Sequence, residues 1–310
     1  MTEEKNRAEV DLVVVGSIGL DTIETPWMKR ENLLGGSVSY ACAAAAFMAR
    51  VGMVGVVGED FPAEYVDLYA SLGINTDGLQ RVAGKTFRWS GSYHADMINR
   101  ETLLTELNVF ADFAPELPAS YCSSPYVLLG NISPGLQLRV LQQVQSPRFV
   151  AADTMDLWIN TAREELMEVV QRVDMLMLND SEARLLTDEH NLKQCGEKIL
   201  RWGPSYVIIK KGEHGGMMMS REGICLIPAF PVDAVVDPTG AGDAFAGGFM
   251  GILAQRASED DAAVRQGMIY GSVVASFGVE EFSLDRLRTL DKTQIQGRLA
   301  DFRRMMHFGE

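Results

Sequence analysis

Short apolar runs, each closed by a polar residue or a glycine, recur along the chain with helix-like stretches between them. The runs are Asp11 to Val15 before Gly16, Met53 to Val57, Tyr126 to Leu129 before Gly130-Asn131, and Phe149 to Ala152 before Asp153. Two more are Met175 to Leu178 before Asn179-Asp180, and Tyr206 to Ile209 before Lys210-Lys211-Gly212. They are apolar throughout rather than alternating, which marks strands buried on both faces of a parallel sheet. Helical composition lies between them: an Ala-rich stretch from Ser37 to Arg50, then Phe61 to Leu72, Gly135 to Gln145 and Thr161 to Arg172. Ser181 to Leu186 and Leu192 to Trp202 continue the series. This alternation predicts an α/β fold with a central, mostly parallel sheet covered on both faces. Ligands in such folds sit at the carboxyl ends of the strands, where the polar residues just named fall.

The stretch from Lys85 to Asp112 departs from the pattern. Phe87, Trp89 and Tyr93 lie on one side of an alternating strand, with Arg88, Ser90, Ser92 and His94 on the other. It reads as an excursion outside the main sheet, joined by residues 21–34 to make a small β lid; the plainer reading is an ordinary sheet edge. The aromatic row suits packing, a seal between two lids in a homodimer, or a surface on which a nucleobase stacks. Met217-Met218-Met219 reads as strand core, and Leu290 to Met306 as an amphipathic closing helix. No tandem repeat divides the chain, so residues 1–310 read as one domain.

Composition narrows the class. Of 310 residues, 47% are hydrophobic and 23% charged, as in a soluble globular protein, and the net charge is −14. That acidity argues against a nucleic-acid partner, because phosphate backbones are held by an excess of Lys and Arg. It also fits poorly with an anionic membrane surface, yet leaves room for a local anion site. The opening MTEEKNRAEV lacks the apolar core of a signal peptide, and no run reaches the roughly 18 apolar residues of a membrane helix. The four cysteines show no CxxC spacing and the four histidines no HExxH, so neither a disulfide framework nor a zinc site is indicated. A cytoplasmic location is expected.

The candidate chemistry lies in Asp237-Pro238-Thr239-Gly240-Ala241-Gly242-Asp243, followed at once by the small, helical AFAGGFMGILA. Glycines just before a helix let the backbone approach a ligand while the first helical N–H groups remain unpaired. Those groups and the positive end of the helix dipole make an anion site, with Asp243 beside it. The dipole should keep Asp243 ionised, ready to take a proton late in phosphoryl transfer. In isolation, Gly-x-Gly-Asp would equally describe a tight turn with a capping aspartate. The full string is more specific.

DPTGAGDAFAGGF resembles the C-terminal signature of the PfkB, or ribokinase-like, kinases, and the resemblance runs over nearly the whole chain. VVVGSIGLD is similar to the family's first strand, whose following aspartate, here Asp21, binds substrate hydroxyls. LLGGSVSYACAAAAFMARVGMVGVVGED resembles the N-terminal signature, in which Gly35 and Gly36 let the backbone reach the substrate. NDSEARLL resembles the Asn-x-x-Glu motif, implying Asn179 and Glu182 near the phosphates and, through water, a magnesium ion. KKGEHGG stands at the nucleotide-side strand end, implicating Lys211, Gly212 and Gly215, with Thr239 of the signature also on that side. Two departures stand out. Tyr40 replaces an Asn that many relatives carry, which puts the usual sugar-hydroxyl contact in question. Lys210-Lys211-Gly212 replaces Thr-Leu-Gly, adding either a phosphate contact or a pair of solvated lysines.

Other motifs are decoys. Gly84-Lys85-Thr86 lacks a P-loop's spacing and precedes an aromatic strand rather than a helix, and Gly16-Ser17-Ile18-Gly19 is not GxGxxG. The resemblance therefore implies a ribokinase-like three-layer sandwich with a β lid, using ATP and Mg2+. It would transfer the γ-phosphate to a hydroxyl of a nucleoside, adenosine-like, or of a sugar. Asp243 would be the base, with the backbone of Gly240, Ala241 and Gly242 stabilising the moving phosphoryl group. Asp21, Gly35, Gly36, Tyr40 and Asn131 form the expected substrate side. The rival reading is a catalytically silent nucleotide- or sugar-binding regulator on the same fold.

Overall fold

In the computed structural model, which describes residues 10–307, the fully apolar runs pair edge to edge. Residues 1–9 of the charged opening stretch lie outside the described residues. The chain begins with β1 (Leu12–Val15), β2 (Gly19–Glu24), β3 (Lys29–Gly35), α1 (Ser37–Ala45), β4 (Val51–Val57) and α2 (Ala63–Ser71). It continues through β5 (Asn75–Arg81), β6 (Phe87–Tyr93), β7 (Arg100–Glu106), β8 (Tyr126–Leu129), α3 (Pro134–Leu141) and β9 (Phe149–Asp153). Next come α4 (Asp156–Thr161), α5 (Arg163–Val170), β10 (Met175–Asn179), α6 (Asp180–Thr187), α7 (Leu192–Leu200) and β11 (Tyr206–Lys210). The last elements are β12 (Gly216–Ser220), β13 (Gly223–Ile227), α8 (Ala241–Arg256), α9 (Asp261–Gly278) and α10 (Lys292–Met305).

Nine strands form the main sheet in the order β13-β12-β11-β10-β9-β8-β1-β4-β5, parallel from β11 to β5 and antiparallel at β12 and β13. Strand alternation divides the core between its faces. Leu12, Val14, Leu128 and Met177 pack against α1, α8, α9 and α10, whereas Val13, Val15, Leu129 and Leu178 pack against α3, α5, α6 and α7. Each such side chain, removed from water, contributes about 1.5–3 kcal/mol. The small residues of α1 and α8 let the two helices touch through their backbones. A Cβ at Gly247 would strike the Ala41 carbonyl, and Ala45 lies against Gly251.

One sequence expectation changes in extent, and one strand had not been expected. The helix expected to reach Arg50 ends at Ala45, since the chain must turn back into β4; Arg50 Nε there donates to Asp11 Oδ2 at 2.9 Å. Strand β5, NTDGLQR, carried no apolar run because it is a sheet edge covered on only part of its length.

The chain leaves this sheet twice. Strands β2, β3, β6 and β7 form a separate sheet in the order β3-β2-β6-β7, with β2 and β6 parallel and the outer pairs antiparallel. Ile23, Tyr93 and Met97 of this unit pack on Phe282, Val235 and Val236, against the segment leading to Asp237. The aromatic row divides. Phe87 meets Phe110, Trp89 lies under the Arg100 guanidinium, and Tyr93 turns inward toward Thr239.

Candidate active site

The turn before α8 is built as its sequence suggests. Gly240 caps the helix in the left-handed region, at φ 73°, and a Cβ there would strike the ring of Tyr40, so both backbone angle and space demand glycine. The helix starts at Ala241, and its first turn, Ala241-Gly242-Asp243, has N–H groups without i−4 partners. Asp237 holds the turn from below: it is buried, Oδ1 accepts the Thr239 N–H at 2.9 Å and Oδ2 the Ser283 N–H at 3.1 Å. From above, the Tyr93 hydroxyl meets Thr239 Oγ1 at 3.0 Å, joining the small sheet to the turn.

A cavity of about 600 Å³ opens on one side of Ala241 and Gly242. Tyr93, Met97 and Arg100 of the small sheet border it, Lys210, Gly212 and Gly215 lie along its floor, and Ile227, Phe230, Val235, Ala275 and Val279 make its far end apolar. A polar mouth and an apolar end of this size suit an adenine nucleotide. Gly215, at φ 78°, lies hard against the backbone of Ile227 and Pro228, while the Lys211 N–H closes the loop on Gly215 O at 2.8 Å. Lys211 therefore shapes the loop through its backbone.

On the other side of the turn, Asp21 is buried against Gly35, where a Cβ would overlap its carboxylate, and Asp21 Oδ1 has no hydrogen-bond partner. Burial, then the charges of Asp237 and Asp243, push its pKa up to about 8, with Arg100 pulling the other way. Gly36 carries the chain into α1 at φ 92°. The Tyr40 hydroxyl is also buried without a partner, and burial followed by Asp237, Asp21, Tyr93 and Asp243 raises its pKa. Two unsatisfied buried polar groups next to each other are costly unless a ligand completes them.

Asp243 follows Ala241 and Gly242, which line the cavity, and its charge reaches Asp21 and Tyr40. The expectation that the helix dipole keeps it fully ionised fails. Burial and the neighbouring Asp153 push its pKa up to about 7, and the opposing fields of Lys210 and Arg100 only partly offset them. Lys210 Nζ pairs with Asp153 Oδ2 at 2.5 Å. Glu182 is buried in the same cluster. Its pKa is pushed up to about 7 by burial, with Lys210 opposing and Asp153 adding to the rise. Asn179 and Glu182 form a capping box on α6: Asn179 Oδ1 accepts the Glu182 N–H at 2.8 Å and Glu182 Oε2 accepts the Asn179 N–H at 2.6 Å. The structure does not bring Asn131 into the group of unpartnered atoms. Its amide is engaged by Trp158 Nε1 at 2.9 Å and by Met155 Sδ at 3.1 Å.

The model of the pfkB family carbohydrate kinases matches residues 26–284. The chain belongs to that family. The pfkB-family chain is 32% identical over 251 residues to a cytidine kinase of Thermococcus kodakarensis, covering 78% of this chain and 87% of the relative. It is 26% identical over 304 residues to a ribokinase of Bacillus subtilis, covering 87% and 94%. The crystal structure of a nucleoside kinase from Methanocaldococcus jannaschii superposes with a TM-score of 0.75 at 20% identity, over 94% of this chain and 98% of that one. The ribokinase-like fold and the activity of an ATP-dependent kinase acting on a small substrate follow. Among the described residues no helix is long and apolar enough to cross a membrane.

Three side chains of the candidate site carry little signal in the sequence. Asp237 passed as part of the glycine string, and Arg100 sits in a polar strand with no local signal. Lys210 was noticed only as a departure from the family pattern, although a cation at the end of a parallel strand, opposite Asp153 at the end of β9, was a legible sign.

Proposed function

We propose that this kinase transfers the γ-phosphate of ATP to a hydroxyl of a nucleoside, with Asp243 as the base. The observation carrying this reading is the position of Asp243. It is on the first turn of α8, directly after Ala241 and Gly242, which line a nucleotide-sized cavity, and its charge acts on the unsatisfied Asp21 and Tyr40. Asp21 would accept hydrogen bonds from substrate hydroxyls, and Gly35 and Gly36 would let the backbone approach them. The acceptor hydroxyl gives its proton to Asp243 as its oxygen bonds to phosphorus, and the N–H groups of Gly240 to Gly242 stabilise the transferring group. A pKa near 7 suits such a base better than an ordinary aspartate. Gly212, Gly215 and Thr239 belong to the nucleotide side. Residues 21–34 and 85–112 would act as a lid excluding water as a rival acceptor.

Among the described residues no group of three or more His, Cys, Asp or Glu side chains is placed to hold a metal ion. Magnesium would therefore enter with the triphosphate, held by phosphate oxygens and water, with Glu182 reaching it through water. Its contribution is to neutralise phosphate charge.

A nucleoside is favoured over a free sugar by the cytidine kinase relative and by a Tyr40 ring, rather than an amide, under the site. Cytidine, adenosine and ribose with ATP are the substrates to assay first. Asp243→Asn is expected to lower kcat roughly 10²- to 10⁴-fold, the usual contribution of a general base, without loss of Tm. Near-normal turnover in the folded variant would reject the assigned role.

A further inference from the structure

We infer that Lys210 is a second catalytic cation of this site, contacting the β- and γ-phosphoryl oxygens of the nucleotide, and that Asp153 is the positioning residue that aims it. The inference rests on the kinase reading above and adds a residue to it.

Lys210 closes β11, and its side chain is only 19% exposed. Its ammonium faces the place where an anion is expected. A Cβ built on Gly242 would lie 3.2 Å from Nζ, so the charge adjoins the first turn of α8, whose N–H groups have no i−4 partners. It also lines the cavity together with Ala241 and Gly242. The ammonium has three donors, and Asp153 Oδ2 takes one at 2.5 Å; no other hydrogen bond from Nζ is present among the described residues. Asp153 is itself fixed, with Oδ1 accepting the Thr154 N–H at 2.9 Å. A purely structural pair would be a poor use of a buried lysine, since such pairs add little net stability over an apolar replacement. A cation with one of its three donors taken, facing Asp153, Glu182 and Asp243 against the turn before α8, has two donors left for phosphate oxygens.

In the reaction, the bond from the γ-phosphorus to the β–γ bridging oxygen breaks and that to the acceptor oxygen forms. The acceptor's proton passes to Asp243, and ADP leaves. Lys210 would oppose the charge growing on the bridging oxygen, so it should distinguish nucleotides by their phosphate number.

Calorimetric titration of the full chain with β,γ-imido-ATP and with AMP tests this. Lys210→Met is expected to weaken the triphosphate analogue roughly 10- to 100-fold, the range for a lost charge-assisted hydrogen bond, and AMP less than about threefold. Because Asp153 left alone is a buried unpaired charge, the double variant Lys210→Met/Asp153→Asn is measured alongside; it should keep the wild-type fold and show the same selective loss. Lys210→Arg should recover part of the triphosphate affinity. Equal affinities of wild type and the double variant for both ligands would overturn the role of Lys210 while leaving the kinase reading intact. A wild-type chain that binds neither adenine nucleotide would overturn both.

Discussion

Asp243 shows how one carboxylate acquires its chemistry from its surroundings. On an exposed helix start it would titrate as an ordinary aspartate, lowered by the dipole. Here desolvation dominates, Asp153 adds to it, and the pKa is pushed up to about 7. The sign for activity follows directly: a base works deprotonated, so kcat/KM should fall about tenfold per pH unit below 7 and flatten above it. An acid limb centred near 4 in a rate profile of the wild-type kinase would show that Asp243 is not the group titrating. Asp21, pushed up to about 8, would be mostly protonated at pH 7, and as the proposed partner of substrate hydroxyls it would then both donate and accept. The two carboxylates thus differ through neighbours that neither stretch of sequence contains.

At the scale of elements, the site depends on helix starts. The contact of α1 and α8 through Gly247 and Ala41 sets the mouth of α8 beside that of α1, and places Tyr40 under Gly240. The start of α6 contributes differently, since its Asn179 and Glu182 are occupied in capping each other. Asn179→Ala separates the cap from any part in nucleotide binding. Loss of the cap should cost about 1 kcal/mol, or about 2 °C in Tm for a chain of this size. Glu182 Oε2 keeps the backbone N–H at position 179 as its partner in this variant, so a severalfold rise in KM for ATP would report the Asn179 amide itself on the nucleotide; an unchanged KM at lowered Tm would leave Asn179 as a cap alone.

For the whole molecule, the decisive arrangement is the small sheet resting on the segment that leads to the anion turn. The Tyr93–Thr239 bond ties the two at the reacting end. Tyr93→Phe removes that tie while keeping the packing around Ile23 and Phe282. The lost bond, about 0.5–1.5 kcal/mol, should raise substrate KM roughly three- to tenfold and increase ATP hydrolysis without acceptor, with Tm little changed. Unaltered KM and hydrolysis would mean that the small sheet does not close through this contact. The apolar core strands, most of the helices between them and the glycine turn at α8 were legible in the order of residues, because burial on two faces and a left-handed backbone each demand particular residue types locally, whereas α9 (Asp261–Gly278) was not. The edge strand β5, the early end of α1 and the engagement of Asn131 by Trp158 were not, for they depend on what lies alongside. Local sequence accounted for the apolar core strands, the glycine turn and the carboxylate at α8. Tertiary structure alone decided which charges face one another: Lys210 with Asp153, Arg100 with Asp21 and Asp243, and the elevated pKa values that follow. Electrostatic fields and desolvation act through space, between residues far apart along the chain, so only the folded arrangement determines them.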